Sequence, residues 1–449
     1  MATTTYELSD LDKTGFTKSV KAVLFYDIHG ADPESLMSSF RLGVCNATQS
    51  LPFMAGHLHF NESGKLCIVT SPDSSIEVSV RHFTNTELPP FAVLAQGFFS
   101  PTLDLSPFLP EGPKESHPVC LIQLGVMEGG LAIGFQINHA AGDWVSIDTF
   151  FSLVCQGTKA HQEGQALPLP TNPLDLNRTP FNTPAPDPRI SQEDRLAQLP
   201  LFHVLEKSKF KFNPAAPTRA GIFRITESTI QQLKEQSKPH LEGVEYITSY
   251  DCISALVWTA LTRARVAVHP EKAACSSRFV HPIDVRSRDP ENKTSNGYFG
   301  NAVIGTLAGP ITADILTKTD TRSLAVAASQ VRRSINAINV STITHMTALQ
   351  ASLPDTHMLI PNADFADMDL FMNTWYTGTA AKYDIGGAAG PGPVAFRVQA
   401  GMPGACAMIL PNLSGGTSRV FEVYVQAAVD EFRVLASDGE FLRFFEHVV

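Results

Sequence analysis

Long apolar runs and an excess of basic charge are both missing from this chain of 449 residues. No stretch of 18 consecutive apolar residues occurs, so we expect no membrane-spanning helix and no membrane partner. The N-terminal segment MATTTYELSDLDK lacks the charged-then-apolar pattern of a secretory signal, which predicts a cytoplasmic protein. Acidic residues outnumber basic ones, 44 against 34, which argues against nucleic acid as a partner but still allows a local basic pocket.

Cysteine is also scarce, and its distribution excludes two kinds of architecture. The seven cysteines are scattered, odd in number and form no C-x-x-C pair. This favours reduced thiols over a disulfide framework or a zinc site, so we expect no metal. A length of 449 residues is enough for two domains of ordinary size or one large one, and a hydrophobic fraction of 43% allows the chain to bury a sizeable core.

One stretch joins a strand pattern directly to a helix pattern. Apolar residues alternate over 131–138, which predicts a strand, and residues 144–154 carry apolar side chains at helical spacing. His139 therefore lies at a strand end, where an imidazole can be held rigidly while one nitrogen faces a substrate. Asp143 lies at the predicted helix start. The local pattern alone leaves open that Asp143 is only a helix N-cap and His139 a core histidine.

Regular patterns continue on both sides of a proline-rich segment. Residues 158–220 contain 10 of the 31 prolines, which predicts a crossover or linker extended by its prolines. We expect an N-terminal half at 1–190, a linker at 191–220 and a C-terminal half at 221–449. A segment near 370–400 that returns to the first half is a further possibility.

Local signals also predict several helix boundaries. Gly157 stands where the helix after His139 would stop. Ser249 can cap a second, clearly amphipathic helix, and the chain is expected to close with a helix from Val429 to about Phe445.

Short motifs follow one another in order along nearly the whole chain. They are Leu8–Asp12 (LSxxD), Leu51–Leu58 (FPxLAGRL), His139–Asp143 (HxxxD), Ser249–Arg265 (the S-[FY]-x-x-L…W…AR helix), Asp284–Arg288 (DxRxR) and Tyr298–Asn301 (YFGN). Each motif is weak alone, but their order makes the set specific. Together they resemble the motifs of the BAHD acyl-CoA-dependent acyltransferase family, including fungal members of secondary metabolism.

The resemblance implies an α/β fold of two chloramphenicol acetyltransferase-like mixed-sheet halves joined by the proline-rich crossover. A channel would run between the halves with His139 at its middle. The implied activity is acyl transfer from acyl-CoA to a hydroxyl or amine of a small-molecule, secondary-metabolite acceptor. His139 would be the general base, acting in a ternary complex. Acyl-CoA would be the co-substrate, with no metal or prosthetic group, and a monomer is expected.

The resemblance also implies roles for residues around His139. Asp143 would pair with Arg286 rather than with His139, and Asn301 would brace the site with Asp12. Asp384 would hold a loop.

The residues expected to contact CoA lie in the second half of the chain. They are Ser249 at a helix N-terminus, Lys234 and the glycine-rich loop that includes Gly386. For Lys234 a solvated helix face is an equally good interpretation.

Two positions depart from the family pattern. The DFGWG motif reads Asp384-Ile385-Gly386-Gly387-Ala388 and lacks both aromatics, and the glycine after HxxxD is Trp144. Trp144 either narrows the acceptor pocket or packs in the core, and its place on an apolar helical face favours the core. The altered loop motivates an alternative, a CoA-independent condensation or cyclisation enzyme that uses the same histidine. The intact His139 and Asp143 argue against a non-catalytic ligand-binding relative.

Overall fold

Strands and helices alternate through the described part of the chain. The computed structural model describes residues 3–15, 19–62, 64–113, 116–167, 173–182, 187, 189–209, 217–288, 297–354, 356–387, 389–398, 404–413 and 419–449. The strands within these ranges are β1 (Thr4–Glu7), β2 (Ser19–Asp27), β3 (His57–Phe60), β4 (Leu66–Thr70), β5 (Glu77–His82), β6 (Cys120–Met127), β7 (Gly130–Asn138), β8 (Phe202–Glu206), β9 (Thr218–Thr226), β10 (Ser276–Asp284), β11 (Val303–Thr312), β12 (His357–Pro361), β13 (Leu370–Thr374), β14 (Ala395–Val398), β15 (Cys406–Ile409), β16 (Val420–Ala428) and β17 (Glu446–His447). The α-helices are α1 (Pro33–Ser50), α2 (Phe91–Gln96), α3 (Trp144–Gln162), α4 (Gln192–Ala197), α5 (Glu227–Ser237), α6 (Ser249–Val268), α7 (Ala313–Leu316), α8 (Thr321–Ala337), α9 (Val340–Ser352), α10 (Val429–Leu435) and α11 (Gly439–Leu442).

A five-stranded sheet in the order β14-β2-β7-β6-β5 carries the HxxxD motif at the end of β7. Its pairs are antiparallel except β5 with β6, which is parallel. Both faces of β2 are buried: Leu24 joins the core under α1 and α3, whereas Phe25 joins a second cluster with Phe91 and Phe108. Because both faces are covered, the strand is almost continuously apolar, and its neighbour β7 is held rigidly.

Helix α3 begins directly after the HxxxD turn and runs past Gly157 to Gln162, so the predicted stop at Gly157 is wrong. A Cβ at Gly157 would lie 3.1 Å from the Cα of Gly43 in α1, and a Cβ at Gly43 would lie 2.5 Å from the Val154 carbonyl oxygen. The two glycines allow α1 and α3 to approach closely, so Gly157 is a packing residue in a helix interior.

The second sheet has seven strands in the order β11-β10-β13-β15-β16-β9-β17, and it mixes parallel and antiparallel pairs. Helices α5, α6 and α8 pack in its core, where Trp258 is fully buried and donates its indole N–H to Ser277 Oγ at 2.8 Å.

The predicted closing helix is wrong in detail. It is interrupted before Asp438, which caps α11 and pairs with Arg263 of α6 at 2.7 Å.

Two strand pairings join parts of the chain that are distant in sequence. Strand β14, within the segment near 370–400, pairs with β2, and β8, within the crossover, pairs with β12. The crossover therefore contains regular structure where the prolines predicted an extended linker. The boundaries proposed at 190 and 220 stay predictions.

No helix in the described ranges has both the length and the apolar character needed to cross a bilayer.

Candidate active site

His139 occupies the first position after β7, and it is half-buried. The preceding residue, Asn138, ends the strand by donating its N–H to the Val119 carbonyl at 2.8 Å, and its own carbonyl accepts from Ala141 N at 3.0 Å. Ala140 and Ala141 are completely buried. A tight, buried turn therefore separates the histidine from α3 and fixes its backbone.

Asp143 caps α3 and binds an arginine from the second half of the chain. Its carboxylate accepts from Ser146 N at 3.3 Å and from Ala302 N at 2.9 Å. Arg286 donates to both oxygens, at 2.8 and 2.9 Å. The predicted pair of Asp143 and Arg286 is thus present. These partners engage both carboxylate oxygens, so Asp143 serves the helix and Arg286 rather than the imidazole.

Arg286 is well suited to this pairing. Burial alone would lower the pKa of its guanidinium, but the charges and hydrogen bonds of Asp143 and Asp284 together outweigh burial, and the pKa is raised. The same guanidinium donates to the Gly300 carbonyl at 3.1 Å and lies over the Tyr298 ring, 5.6 Å from its centroid. The DxRxR and YFGN segments therefore meet at the HxxxD turn.

Asn301 and Asp12 lie behind the turn, where the resemblance predicted them. Asn301 Nδ2 donates to the carbonyl of His139 at 2.7 Å and to Asp12 Oδ1 at 2.9 Å, and its backbone N–H donates to the same oxygen at 2.7 Å. Asp12 has no solvent exposure. The N-terminal LSxxD motif is thus tied to the backbone of the histidine through one amide side chain.

The sequence interpretation missed Arg178, which also contacts this turn. Its Nη2 donates to the Ala141 carbonyl at 2.8 Å, and its Nη1 lies 2.5 Å from Asp12 Oδ2. Arg178 stands in the proline-rich crossover, which was interpreted only as a linker. The available signal was weak: Asp175 and Arg178 are the only charged residues of the stretch 166–186.

Trp144 packs in the core, as its place on the apolar helical face favoured. Its side chain is 8% exposed, and its ring stacks on Trp375 with centroids 4.4 Å apart and planes at 9°. Phe396 meets it edge-on at 5.5 Å. The stack joins the start of α3 to the segment that follows β13.

We expect Trp144→Leu to lower the free energy of unfolding by about 2 kcal/mol, since it removes ring stacking and leaves a partial cavity. Trp375→Leu should cost a similar amount. The double variant should cost less than the sum because both single changes remove the same contact. Chemical denaturation of the three variants measures these energies, and strict additivity would show that the stack contributes nothing.

Lys234 and Ser249 are adjacent in the structure. Lys234 Nζ donates to Ser249 Oγ at 3.2 Å, and both side chains are half-buried. The prediction that Ser249 caps α6 is wrong, since Thr248 is the N-cap and forms a capping box with Asp251. Ser249 is instead the first helical residue, so its hydroxyl is free of the capping role and lies beside a cation at the helix N-terminus.

Asp384 and Gly386 lie at the other end of α3. Asp384 pairs with Lys159 at 2.5 Å and accepts from Gly386 N at 2.8 Å. A Cβ at Gly386 would lie 3.1 Å from the Lys159 Cα. Lys159 is about 22 Å along the helix axis from Trp144, so Asp384 holds its loop far from the HxxxD turn. Close packing accounts for Gly386, and its contact with CoA stays a prediction. Ala388 lies outside the described residues.

A fully buried histidine, His281, lies on β10 beneath the first turn of α6. Its Nδ1 lies 3.0 Å from the Tyr250 hydroxyl and its Nε2 lies 2.9 Å from Ser334 Oγ. The Ser334 hydroxyl donates to the Val331 carbonyl, so its oxygen is placed to accept a hydrogen bond from Nε2 of His281. In a neutral imidazole the other nitrogen, Nδ1, is then the acceptor, and the Tyr250 hydroxyl donates to it. Burial, together with the charge of Arg332, lowers the pKa of His281 to about 3.

The pKa of His281 predicts how stability depends on pH. In the unfolded chain the pKa is about 6.5, so between about pH 6.5 and 3 only the unfolded state takes up the proton and stability falls as the pH falls. At pH 5 we expect a loss of about 2 kcal/mol relative to pH 7, and His281→Gln should remove it. Denaturation at both pH values measures the difference. His29→Gln, at an exposed position, should keep the wild-type difference; an unchanged pH dependence in His281→Gln would contradict the assignment.

Two surface cavities lie away from the turn. One, of about 590 Å³, is lined in part by His57, His59 and His117, and the other, of about 550 Å³, in part by Arg224 and Glu422. The described residues that line them include no member of the HxxxD turn. The channel expected between the halves therefore stays a prediction.

Over the described ranges no group of three or more potential ligands is placed to hold a metal ion.

Comparison of the sequence with models of known protein families agrees with the order of the motifs and with the geometry of the turn. A model described as the transferase family matches residues 1–442, nearly the whole chain. The chain belongs to the transferase family. Its resemblance to the BAHD acyltransferases is confirmed, and it is an acyltransferase.

Individual members of the family resemble the chain at low identity. A trichothecene 8-O-acetyltransferase from Fusarium sporotrichioides is 25% identical and the match covers 71% of this chain and 69% of the relative. A hydroxycinnamoyl-CoA:5-hydroxyanthranilate N-hydroxycinnamoyltransferase from Avena sativa is 24% identical and the match covers 91% and 89%. The crystal structure of F. graminearum TRI101 with coenzyme A and deoxynivalenol matches with a TM-score of 0.79 at 18% identity, over 99% of this chain and 100% of that chain. This likeness shows that the predicted two-domain α/β fold with mixed sheets is correct.

Proposed function

We propose that the enzyme transfers the acyl group from acyl-CoA directly to a hydroxyl or amine of a small secondary metabolite, with His139 as the general base. One observation carries the assignment: the histidine ends a buried strand while Asp143, the other residue of the motif, is fully engaged by Arg286 and the start of α3. The end of the buried strand therefore supports placing the imidazole at a fixed point, while the Asp143 carboxylate braces Arg286 and α3.

The reaction needs a proton to be moved twice. As the acceptor oxygen or nitrogen attacks the thioester carbonyl, a new bond to carbon forms and its proton passes to the neutral imidazole. The tetrahedral intermediate then collapses, the carbon–sulfur bond breaks, and the imidazolium returns the proton to the leaving CoA thiolate. The histidine ends in its starting state, and the products are the acylated acceptor and free CoA.

Direct transfer is favoured over an acyl-enzyme. A cysteine nucleophile would need a thiolate, but burial raises the pKa of Cys155 on α3. Burial also raises the pKa of Cys252 on α6 to about 12. Both thiols are therefore protonated at neutral pH, so neither is a ready nucleophile for an acyl-enzyme.

For the acyl donor, we propose that Lys234 and Ser249 contact the phosphate or pantetheine part of CoA. A helix N-terminus presents free N–H groups and favours negative charge, and an ammonium group beside it adds a second source of attraction. The 3.2 Å contact between the two side chains supports a shared role.

For the acceptor and the setting, support comes from the relatives and from the cysteines. One relative is named a trichothecene O-acetyltransferase and another an N-acyltransferase, so we propose a secondary-metabolite alcohol or amine. All seven cysteines are free thiols, which supports a reducing, cytoplasmic location. The proposed monomeric state rests on the sequence alone, and light scattering of the purified protein tests it.

Mass spectrometry of turnover mixtures tests the proposed function. The protein is incubated with a metabolite extract and acetyl-CoA, malonyl-CoA or a longer acyl-CoA, and we expect one metabolite to gain an acyl mass while free CoA appears. Calorimetry with CoA separates the alternative of a CoA-independent condensation or cyclisation enzyme. Absence of binding at millimolar CoA, together with no acyl gain, would favour that alternative.

A further inference from the structure

Part of the proline-rich crossover is fixed against the YFGN loop. Asp175 forms a parallel bridge with Tyr298, in which its N–H donates to the Gly297 carbonyl and its carbonyl accepts from Phe299 N, both at 2.9 Å. Further along the crossover, the Phe181 ring meets the Tyr298 ring edge-on, 5.2 Å between centroids. Arg178 lies between these two contacts, so its backbone belongs to a segment held on both sides.

The Arg178 guanidinium reaches three partners at once. It donates to the Ala141 carbonyl at 2.8 Å, pairs with Asp12 at 2.5 Å, and lies over the Phe53 ring, 5.2 Å from its centroid. Its side chain is only 9% exposed, and that of Asp12 is not exposed at all. A planar, forked cation fits two acceptors and a ring face together, whereas an ammonium group offers a single point of charge.

Asp12 connects this arginine to the backbone of His139. The oxygen of Asp12 that does not face Arg178 accepts from Asn301, and the Asn301 amide also donates to the His139 carbonyl at 2.7 Å. The carbonyls of residues 139 and 141, on either side of Ala140, are thus held by two side chains that share one buried carboxylate. Losing either donor frees one side of the turn.

We propose that Arg178 is a positioning residue, through which the crossover fixes the HxxxD turn and hence the imidazole. The proposal rests on the proposed role of His139 as the base. It gives the crossover a function beyond joining two halves. Because the guanidinium contacts the Ala141 carbonyl, two residues after the histidine, and not the reacting atoms, its loss should lower the rate of the chemical step and leave binding of the donor intact.

The test compares Arg178→Lys and Arg178→Met. Lysine keeps the charge but cannot reach Asp12 and the Ala141 carbonyl together, so we expect kcat to fall about tenfold. Methionine removes both contacts, and a displaced turn should cost on the order of 10²-fold in kcat. For both variants the KM for acyl-CoA and the calorimetric Kd for CoA should stay within about twofold of wild type. Should Arg178→Met fail to fold, Arg178→Lys decides.

Arg263→Met is the matched control. Arg263 also donates two hydrogen bonds to one carboxylate, that of Asp438, at 2.9 and 2.7 Å. It lies near the C-terminal end of α6, whereas Ser249 lies at the N-terminal end. This variant should lower the melting temperature and keep the wild-type kcat. An equal loss of kcat in Arg263→Met, a wild-type kcat in both Arg178 variants, or a rise in KM with unchanged kcat would each overturn the positioning role.

His139→Ala, measured in parallel, separates this proposal from the one on which it rests. If His139→Ala retains kcat, the assigned base is wrong and the positioning role falls with it. If His139→Ala loses kcat while both Arg178 variants keep theirs, the base stands and only the role of Arg178 is rejected.

Discussion

Replacing His139 with alanine is expected to lower kcat by about 10² to 10⁴, the usual contribution of a general base. The acceptor would then have to attack with its proton still attached, or lose it to water, and the CoA thiolate would leave without a proton donor. The KM for acyl-CoA should change little, because the residues proposed to contact CoA lie on other helices, Lys234 in the last turn of α5 and Ser249 at the start of α6. A thiol reagent detects the free CoA as it is released, and the rate of release gives kcat and the KM for acyl-CoA.

Two further variants make the result interpretable. His139→Gln keeps a polar side chain of similar length but cannot cycle a proton near neutral pH, so it should be as slow as alanine. His29→Ala removes an imidazole whose side chain is 70% exposed, and it should keep the wild-type rate. A kcat near wild type in His139→Ala would reject the assignment of the base.

Replacing Arg286 with methionine should lower the free energy of unfolding by about 3–5 kcal/mol, because it leaves the buried Asp143 carboxylate without its cation. Only 8% of the Arg286 side chain and 6% of the Asp143 side chain is exposed, so water can compensate for little of the loss. The HxxxD turn depends on this pair, so kcat should fall as well. Denaturation in urea measures the stability, and turnover is measured on the folded fraction.

Replacing Asp143, the other member of the pair, is expected to lower the free energy of unfolding by less than Arg286→Met. In Asp143→Asn the guanidinium keeps a second carboxylate, Asp284, whose Oδ2 lies 3.3 Å from Nη1, and the asparagine can still cap α3. Asp284→Asn alone should change stability by about 1 kcal/mol or less, since that carboxylate is half-exposed. If Arg286→Met were no more destabilising than Asp284→Asn, the buried pair would not be what holds the turn.

Much of the site could be predicted from residues close together in sequence. Alternation over 131–138 followed by helical spacing places His139 at a strand end, since a change of period marks a change of element. The motif resemblance predicted that Asp143 meets Arg286 and that Asn301 meets Asp12, and both contacts are present. The apolar helical face likewise favoured a buried Trp144.

Helix boundaries were predicted less well, for a physical reason. Gly157 has the properties of a helix stop, yet α3 continues because Gly43 of α1 packs against that glycine. Thr248 and Ser249 are both good N-caps, and the pairing of Asp251 with Arg332 at 2.6 Å, 81 residues away in sequence, accompanies the capping box that uses Thr248. Local propensity leaves such alternatives nearly equal in energy, and tertiary contacts choose between them.

The sequence by itself determined which residue types stand at the turn and on which elements they lie, because periodicity and motif order are local properties of the chain. Only the tertiary structure decided what surrounds that turn. Arg178 and Asp12 are 166 residues apart, and the interaction that joins them behind the HxxxD turn depends on the packing of the crossover against the YFGN loop. A buried arginine and a buried aspartate each need the other to compensate their charge, and where they meet is set by the fold as a whole.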